Sequence, residues 1–165
     1  MNQSAQKSHT GNVSRRHFMA GAGAAAVSVS LVKPQAVRGS RANQKVNIGF
    51  VGCGGRGTWI ARLFHKHGGY NVVAAADYFE ERVSAFGEAL GVKEDARYTG
   101  LNGYKQLIEQ PLDAVIIESP PYFHPEQAAA AVDAGKHVYV AKPIAVDVPG
   151  CQSIAESGKN ATEKV

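Results

Sequence analysis

The chain has 165 residues, enough for one domain with its own core. Its formal charge of +4 would suit a polyanion, but Lys7, Arg15, Arg16, Lys33, Arg38 and Arg41 all fall in residues 1–42, which hold no acidic residue, so residues 43–165 carry 12 basic against 14 acidic side chains. That balance excludes a basic nucleic-acid surface on the folded part, and the wide separation of the two cysteines, Cys53 and Cys151, excludes a disulfide framework or a cysteine zinc site, so no metal is expected.

Residues 1–42 read as a leader. A polar start is followed by "SRRHFMA" (Ser14 to Ala20) and a weakly apolar run from Phe18 to Val32, with Lys33 behind it. The run is fifteen residues long, short of the roughly 20 that a membrane-spanning helix needs, so no stable membrane span is expected. Twin arginines before a mild apolar stretch resemble a twin-arginine export signal, which implies a periplasmic or otherwise exported protein. A disordered tail with a chance Arg-Arg is the plainer alternative. "SRA" (Ser40 to Ala42) is a candidate cleavage site, and the folded domain is expected over 43–165.

From there strands and helices alternate. "VNIGFV" (Val46 to Val51) reads as a buried strand ended by a glycine cluster. Ile60, Leu63, Phe64 and His67 share one helical face, and Gly68-Gly69 stops that helix. "NVVAAAD" (Asn71 to Asp77) is a second buried strand; Val83, Phe86 and Leu90 mark a second helix closed by Gly91. A short strand is expected at Ala96 to Tyr98, a helix from Gly103 to Glu109, and a fourth strand in "DAVIIES" (Asp113 to Ser119). "HPEQAAAAVDAG" places Pro125 at a helix start and Gly135 just past its end. "KHVYVA" (Lys136 to Ala141) is a fifth strand, and a last helix runs from Pro149 to Thr162. Such alternation predicts an α/β fold, a doubly wound parallel sheet of Rossmann type in the order 3-2-1-4-5 with both faces covered.

The stretch "FVGCGGRGTW" (Phe50 to Trp59) holds G-x-G-x-x-G at Gly52, Gly54 and Gly57, directly after a strand and opening a helix. In that context the first glycine permits the turn, the second lets a pyrophosphate approach the backbone, and the third lets helix and strand pack closely. Gly55 and Arg56 complete the expected phosphate loop; Arg56 either reaches a phosphate or stands solvated at the helix start. Asp77, twenty residues after Gly57, ends the second strand, where a carboxylate accepts from adenosine ribose hydroxyls and repels a 2′-phosphate. The expected cofactor is NAD, with NADP disfavoured. Cys53, with no base fixed beside it in the sequence, reads as a packing residue.

Two more stretches fall at the carboxyl ends of strands four and five, where ligands bind in open α/β sheets: "ESPPYFH" (Glu118 to His124) and "AGKHVYVAKP" (Ala134 to Pro143). With the glycine loop they resemble the Gfo/Idh/MocA oxidoreductases from Val46 to the C-terminus. The resemblance implies NAD(P)-dependent chemistry on a sugar, cyclitol or related polyol, and a homo-oligomer when full length. It also implies that Ser119, Pro120, Lys142 and Pro143 border the cofactor and that Lys142 lies beside the reacting hydroxyl, where a lysine can bind the substrate oxygen or move its proton. The plainer alternative for Lys142 is an exposed lysine in a loop. The family's Glu-Lys-Pro falls on Ala141-Lys142-Pro143, so a carboxylate is missing. Glu118 either supplies one near Lys142 or caps local backbone N–H groups. His124 reads as a helix N-cap before Pro125, with a direct catalytic role as the alternative.

The resemblance further implies a sixth sheet strand and a C-terminal substrate domain after Val165, so the chain is expected to be a truncated form, inactive alone. Three functions stay open: an exported oxidoreductase, an NAD-dependent glycosidase with no net redox change, and an inactive nucleotide-binding fragment.

Overall fold

The computed structural model describes residues 45–164, so the expected leader, with Arg15 and Arg16, lies outside the described residues. Five strands, β1 (Val46–Val51), β2 (Tyr70–Asp77), β3 (Arg97–Thr99), β4 (Ala114–Ile117) and β5 (His137–Val140), form one sheet in the order β3-β2-β1-β4-β5. The pairings β1–β2, β1–β4, β2–β3 and β4–β5 are all parallel. The helices are α1 (Gly55–His67), α2 (Glu80–Leu90), α3 (Gly103–Ile108), α4 (His124–Asp133) and α5 (Val148–Lys164). The expected Rossmann fold and strand order are what the chain adopts.

Each sheet face buries its own cluster. Ile48, Phe50 and Val72 pack with Val83 and Phe86 of α2 on one side, and Val51, Ala74 and Val115 pack with Leu107 of α3 and Ala131 of α4 on the other. Phe50 anchors the first cluster, with the Phe86 ring 5.4 Å away and the Phe64 ring 6.0 Å away in an edge-on contact. A register shift pairs Ile48 with Val72 but Gly49 with Ala74. The extra residue, Val73, is a bulge that puts Val72 and Ala75 on one face and Ala74 and Ala76 on the other. The small β2 side chains at 74–76 leave room for bulky neighbours on both faces.

Three expectations are corrected. On α1 the inward face is Gly57 and Ala61, flanked by half-buried Ile60 and Phe64, while Leu63 is 47 % exposed and His67 is exposed. This helix lies so close to the sheet that its innermost positions take small residues. The sheet is also not covered everywhere: His137 and Tyr139 of β5 are exposed, whereas Val138 and Val140 pack on the α3–α4 side. The strand β4 is also shorter than the expected Asp113–Ser119, although the Asp113 and Glu118 N–H groups flanking it still donate to the Asn47 and Val51 carbonyls of β1.

Candidate functional site

The carboxyl ends of β1, β2 and β4 open into a groove of about 590 Å³. Its walls include Gly52, Gly54, Asp77, Glu118, Ser119 and Pro120, six of the residues expected to meet a ligand.

The glycine loop is shaped by contacts that only glycine satisfies. Gly52 has φ +98°, in the left-handed region, and a Cβ there would lie 2.5 Å from the Glu118 carbonyl carbon and the Ser119 nitrogen. A Cβ on Gly57 would overlap the Gly52 carbonyl oxygen. Gly54 differs: a Cβ there would meet only the Arg82 Nη1, at 3.8 Å. It would therefore fill the mouth of the loop and nothing else. Gly54 is also the N-cap of α1, with no side chain capping it and no acidic residue in the first turn. An open backbone cradle at an uncapped helix start suits an anion, and these residues fit the pyrophosphate of a dinucleotide.

Asp77 stands beside the cradle. Its Oδ2 accepts from the Cys53 N–H at 2.7 Å and its Oδ1 from the Phe79 N–H at 3.0 Å. These bonds fix the carboxylate to the loop it faces and leave each oxygen a further lone pair for a ribose hydroxyl. Cys53 is 4 % exposed, and burial, then the nearby Asp77 charge, push its thiol well above the usual range. It is a packing residue, as its surroundings in the sequence implied.

Glu118 departs from both expected roles. Its side chain is wholly buried and Oε2 accepts from Arg56 Nε at 2.9 Å, so the carboxylate pairs with the first turn of α1 and neither with Lys142 nor with local backbone N–H groups. Oε1 is buried without a partner. Arg56, half exposed, is neither free in solvent nor on the groove wall. His124 is corrected too. Phe123 is the N-cap of α4, and His124, 1 % exposed, donates from Nε2 to the Ser119 carbonyl at 2.7 Å. That bond leaves Nδ1 a buried acceptor without a partner. Ser119 in turn donates from Oγ to Gln127 Oε1 at 2.6 Å. His124 and Gln127, one helical turn apart, thus hold the Ser119–Pro120 turn in place. His124 itself is a positioning residue off the groove wall.

Lys142 and Pro143 are exposed and joined by a cis peptide bond; neither is on the groove wall. They follow buried Ala141, whose N–H donates to the Ile117 carbonyl at 2.9 Å, so they share the carboxyl edge of β4 and β5 with the groove. Sequence reading passed over Phe79, Arg82, Tyr104 and Gln127, which all line the groove. The available signal was spacing: Phe79 and Arg82 are three apart at a helix start, as are His124 and Gln127. Among the described residues no group of His, Cys, Asp and Glu is arranged to hold a metal, and no helix is long and apolar enough to cross a membrane.

The profile of an oxidoreductase family with an NAD-binding Rossmann fold, GFO_IDH_MocA, matches residues 46–165. Among curated proteins the chain is similar to a glycosyl hydrolase family 109 protein of Phocaeicola vulgatus, with 34% identity over 68% of this chain and 21% of that one. It is also similar to an alpha-N-acetylgalactosaminidase of Shewanella oneidensis, with 28% identity over 90% of this chain and 37% of that one. Among solved structures it resembles the myo-inositol 2-dehydrogenase of Lactobacillus plantarum, with a TM-score of 0.65 and 27% identity over 74% of this chain and 35% of that one. The chain spans about a quarter of the length of the first curated relatives it matches.

Proposed function

The chain belongs to the Gfo/Idh/MocA oxidoreductase family, and from that premise we propose that it is the nucleotide-binding part of an NAD-dependent enzyme acting on a sugar, cyclitol or related polyol. The observation that carries this reading is the pairing, at one sheet edge, of an open cradle at Gly54 with a fixed carboxylate at Asp77. Gly52, Gly54, Gly55 and Gly57 would hold the pyrophosphate, with Arg56 beside them. Asp77 would hold the adenosine ribose, and its charge favours NAD over NADP by repelling a 2′-phosphate. Ser119, Pro120 and Pro143 would border the nicotinamide. When bound, that ring supplies the acceptor or donor of a hydride.

The proton side of the reaction falls to the protein. Lys142 is the group we assign to the substrate hydroxyl, where its ammonium donates a hydrogen bond and exchanges a proton as the carbon changes oxidation state. Ala141 leaves that lysine without the family's adjacent carboxylate, and Glu118 does not replace it, being committed to Arg56. The protein is further read as a homo-oligomer when full length, on the family resemblance, and as exported through the twin-arginine route, on the strength of the leader sequence.

A second reading is favoured by the glycosyl hydrolase family 109 relatives: a glycosidase in which the sugar is oxidised and reduced again within one turnover. One assay separates the two. The longest form of the protein is offered a panel of polyols and p-nitrophenyl glycosides with NAD or NADP. Oxidoreductase activity gives a net rise in NADH absorbance; the glycosidase releases nitrophenol with none. In either case Lys142→Ala is expected to lower kcat by about 10²–10⁴-fold, the usual cost of a lost proton-transfer group, while nucleotide affinity holds. Lys142→Arg is not expected to restore the rate, because a guanidinium keeps its proton. Undiminished turnover in Lys142→Ala would remove it from the mechanism.

A further inference from the structure

The groove wall carries three charged residues, Asp77, Glu118 and Arg82. The Glu118 side chain is wholly buried, so Asp77 is the carboxylate that faces the groove, and a pyrophosphate placed on the glycine loop would add more negative charge to the same space. Glu118 is paired with Arg56. Arg82 is the cation that faces the groove, and its guanidinium has no hydrogen-bonding or ionic partner among the described residues. It is held instead by stacking: its guanidinium carbon lies 4.7 Å from the centroid of the Phe79 ring. Phe79 is the N-cap of α2 and Arg82 lies in the first turn, with the Arg82 N–H bonded to the Phe79 carbonyl at 3.2 Å. The brace is therefore built into the helix start.

Helix electrostatics does not account for the arginine. The first turn of a helix is its positive end, where acidic residues stabilise and a cation does not. Glu80 and Glu81 follow that rule, and Arg82 breaks it. What the position does provide is reach, because Nη1 comes within 3.8 Å of the point where a Gly54 side chain would begin.

Resting on the nucleotide-binding reading above, we infer that Arg82 is an affinity-determining residue that clamps the phosphates of the nucleotide from across the glycine cradle. Phe79 holds one face of the guanidinium, and its N–H fork is left for phosphate oxygens. The clamp supplies the positive charge that the loop's own Arg56, committed to Glu118, does not, and offsets the Asp77 carboxylate. It acts on the diphosphate, which NAD and ADP share, and not on the adenine.

Calorimetric titration of the full chain with ADP, NAD and adenosine tests this. Arg82→Met keeps a stem that can lie on Phe79 and removes the charge. It is expected to weaken ADP and NAD by about 10- to 100-fold, the worth of charge-assisted hydrogen bonds. Adenosine, which has no phosphate, should bind the variant as it binds the wild type. Added salt should weaken ADP binding to the wild type more steeply than to Arg82→Met, and Arg82→Lys should fall between the two. Because Arg82 is exposed, these variants should unfold at the wild-type temperature, which a thermal scan verifies. Unchanged ADP affinity in Arg82→Met, or an equal loss for ADP and adenosine, overturns the clamp while leaving the nucleotide site standing. A wild-type chain that binds none of the three ligands removes both.

Discussion

At the scale of single residues, the buried thiol of Cys53 ties stability to pH. Burial and the Asp77 charge raise its folded-state pKa above that of the unfolded chain. Between the two values the unfolded state has lost a proton that the folded state keeps, so stability falls as pH rises past the ordinary thiol range of about 8.5. Tyr104 acts in the same direction at higher pH: burial comes first, and its O–H also donates to Glu126 Oε1 at 2.6 Å. Thermal unfolding followed from neutral pH upward should show a falling midpoint, and Cys53→Ala should flatten the onset of that fall before tyrosine ionises. The same burial predicts that iodoacetamide labels exposed Cys151 in the native chain and reaches Cys53 only after denaturation. Prompt native labelling of Cys53, or an identical pH slope in Cys53→Ala, would show that the thiol does not contribute as argued.

The β1–loop–α1 element separates what glycine does for the fold from what it does for the ligand. In Gly57→Ala the new methyl meets the Gly52 carbonyl oxygen, a backbone atom that cannot swing aside as a side chain would. Overpacking of this kind costs about 1–3 kcal/mol, a large part of a domain's margin. Gly54→Ala meets open space and should stay within about 0.5 kcal/mol of the wild type, as substitutions clear of the core usually do. Its methyl nevertheless occupies the cradle, so nucleotide affinity should drop. Urea unfolding and ADP titration of both variants measure the split; a Gly54→Ala chain that binds ADP like the wild type would contradict the cradle. The element also shows how far sequence reads. The glycines and Asp77 were legible because their roles depend on spacing along β1, α1 and β2. The inward face of α1 was not, since hydrophobicity ranks Leu63 above Ala61 while close helix–sheet approach demands the smaller residue. The Arg56–Glu118 pair joins positions 62 apart, and it exists because β4 lies beside β1. The loop role of His124 needed the carbonyl of Ser119 turned toward its ring, which no pattern in the chain announces.

For the molecule as a whole, the order β3-β2-β1-β4-β5 means that the groove exists only once β4 has joined β1. Its walls come from the ends of β1, β2 and β4, and β4 reaches β1 only after three helices and two strands have been laid down between them. A chain threaded across a membrane unfolded would carry no such site, and a cofactor loaded beforehand would be lost. The twin-arginine route is suited to folded cargo, which reconciles an export-like leader with a dinucleotide groove in one polypeptide. We therefore predict that export depends on both the leader and the fold. Replacing Arg15 and Arg16 together with lysine should leave the protein in the cytoplasm, as cell fractionation would reveal. Gly57→Ala, with the leader intact but β1 and α1 forced apart, should also be retained, whereas Gly54→Ala should be exported like the wild type. Export of the double-lysine variant at the normal level would point to another route. Export of a Gly57→Ala chain shown by proteolysis to be unfolded would break the proposed link between the sheet and the leader.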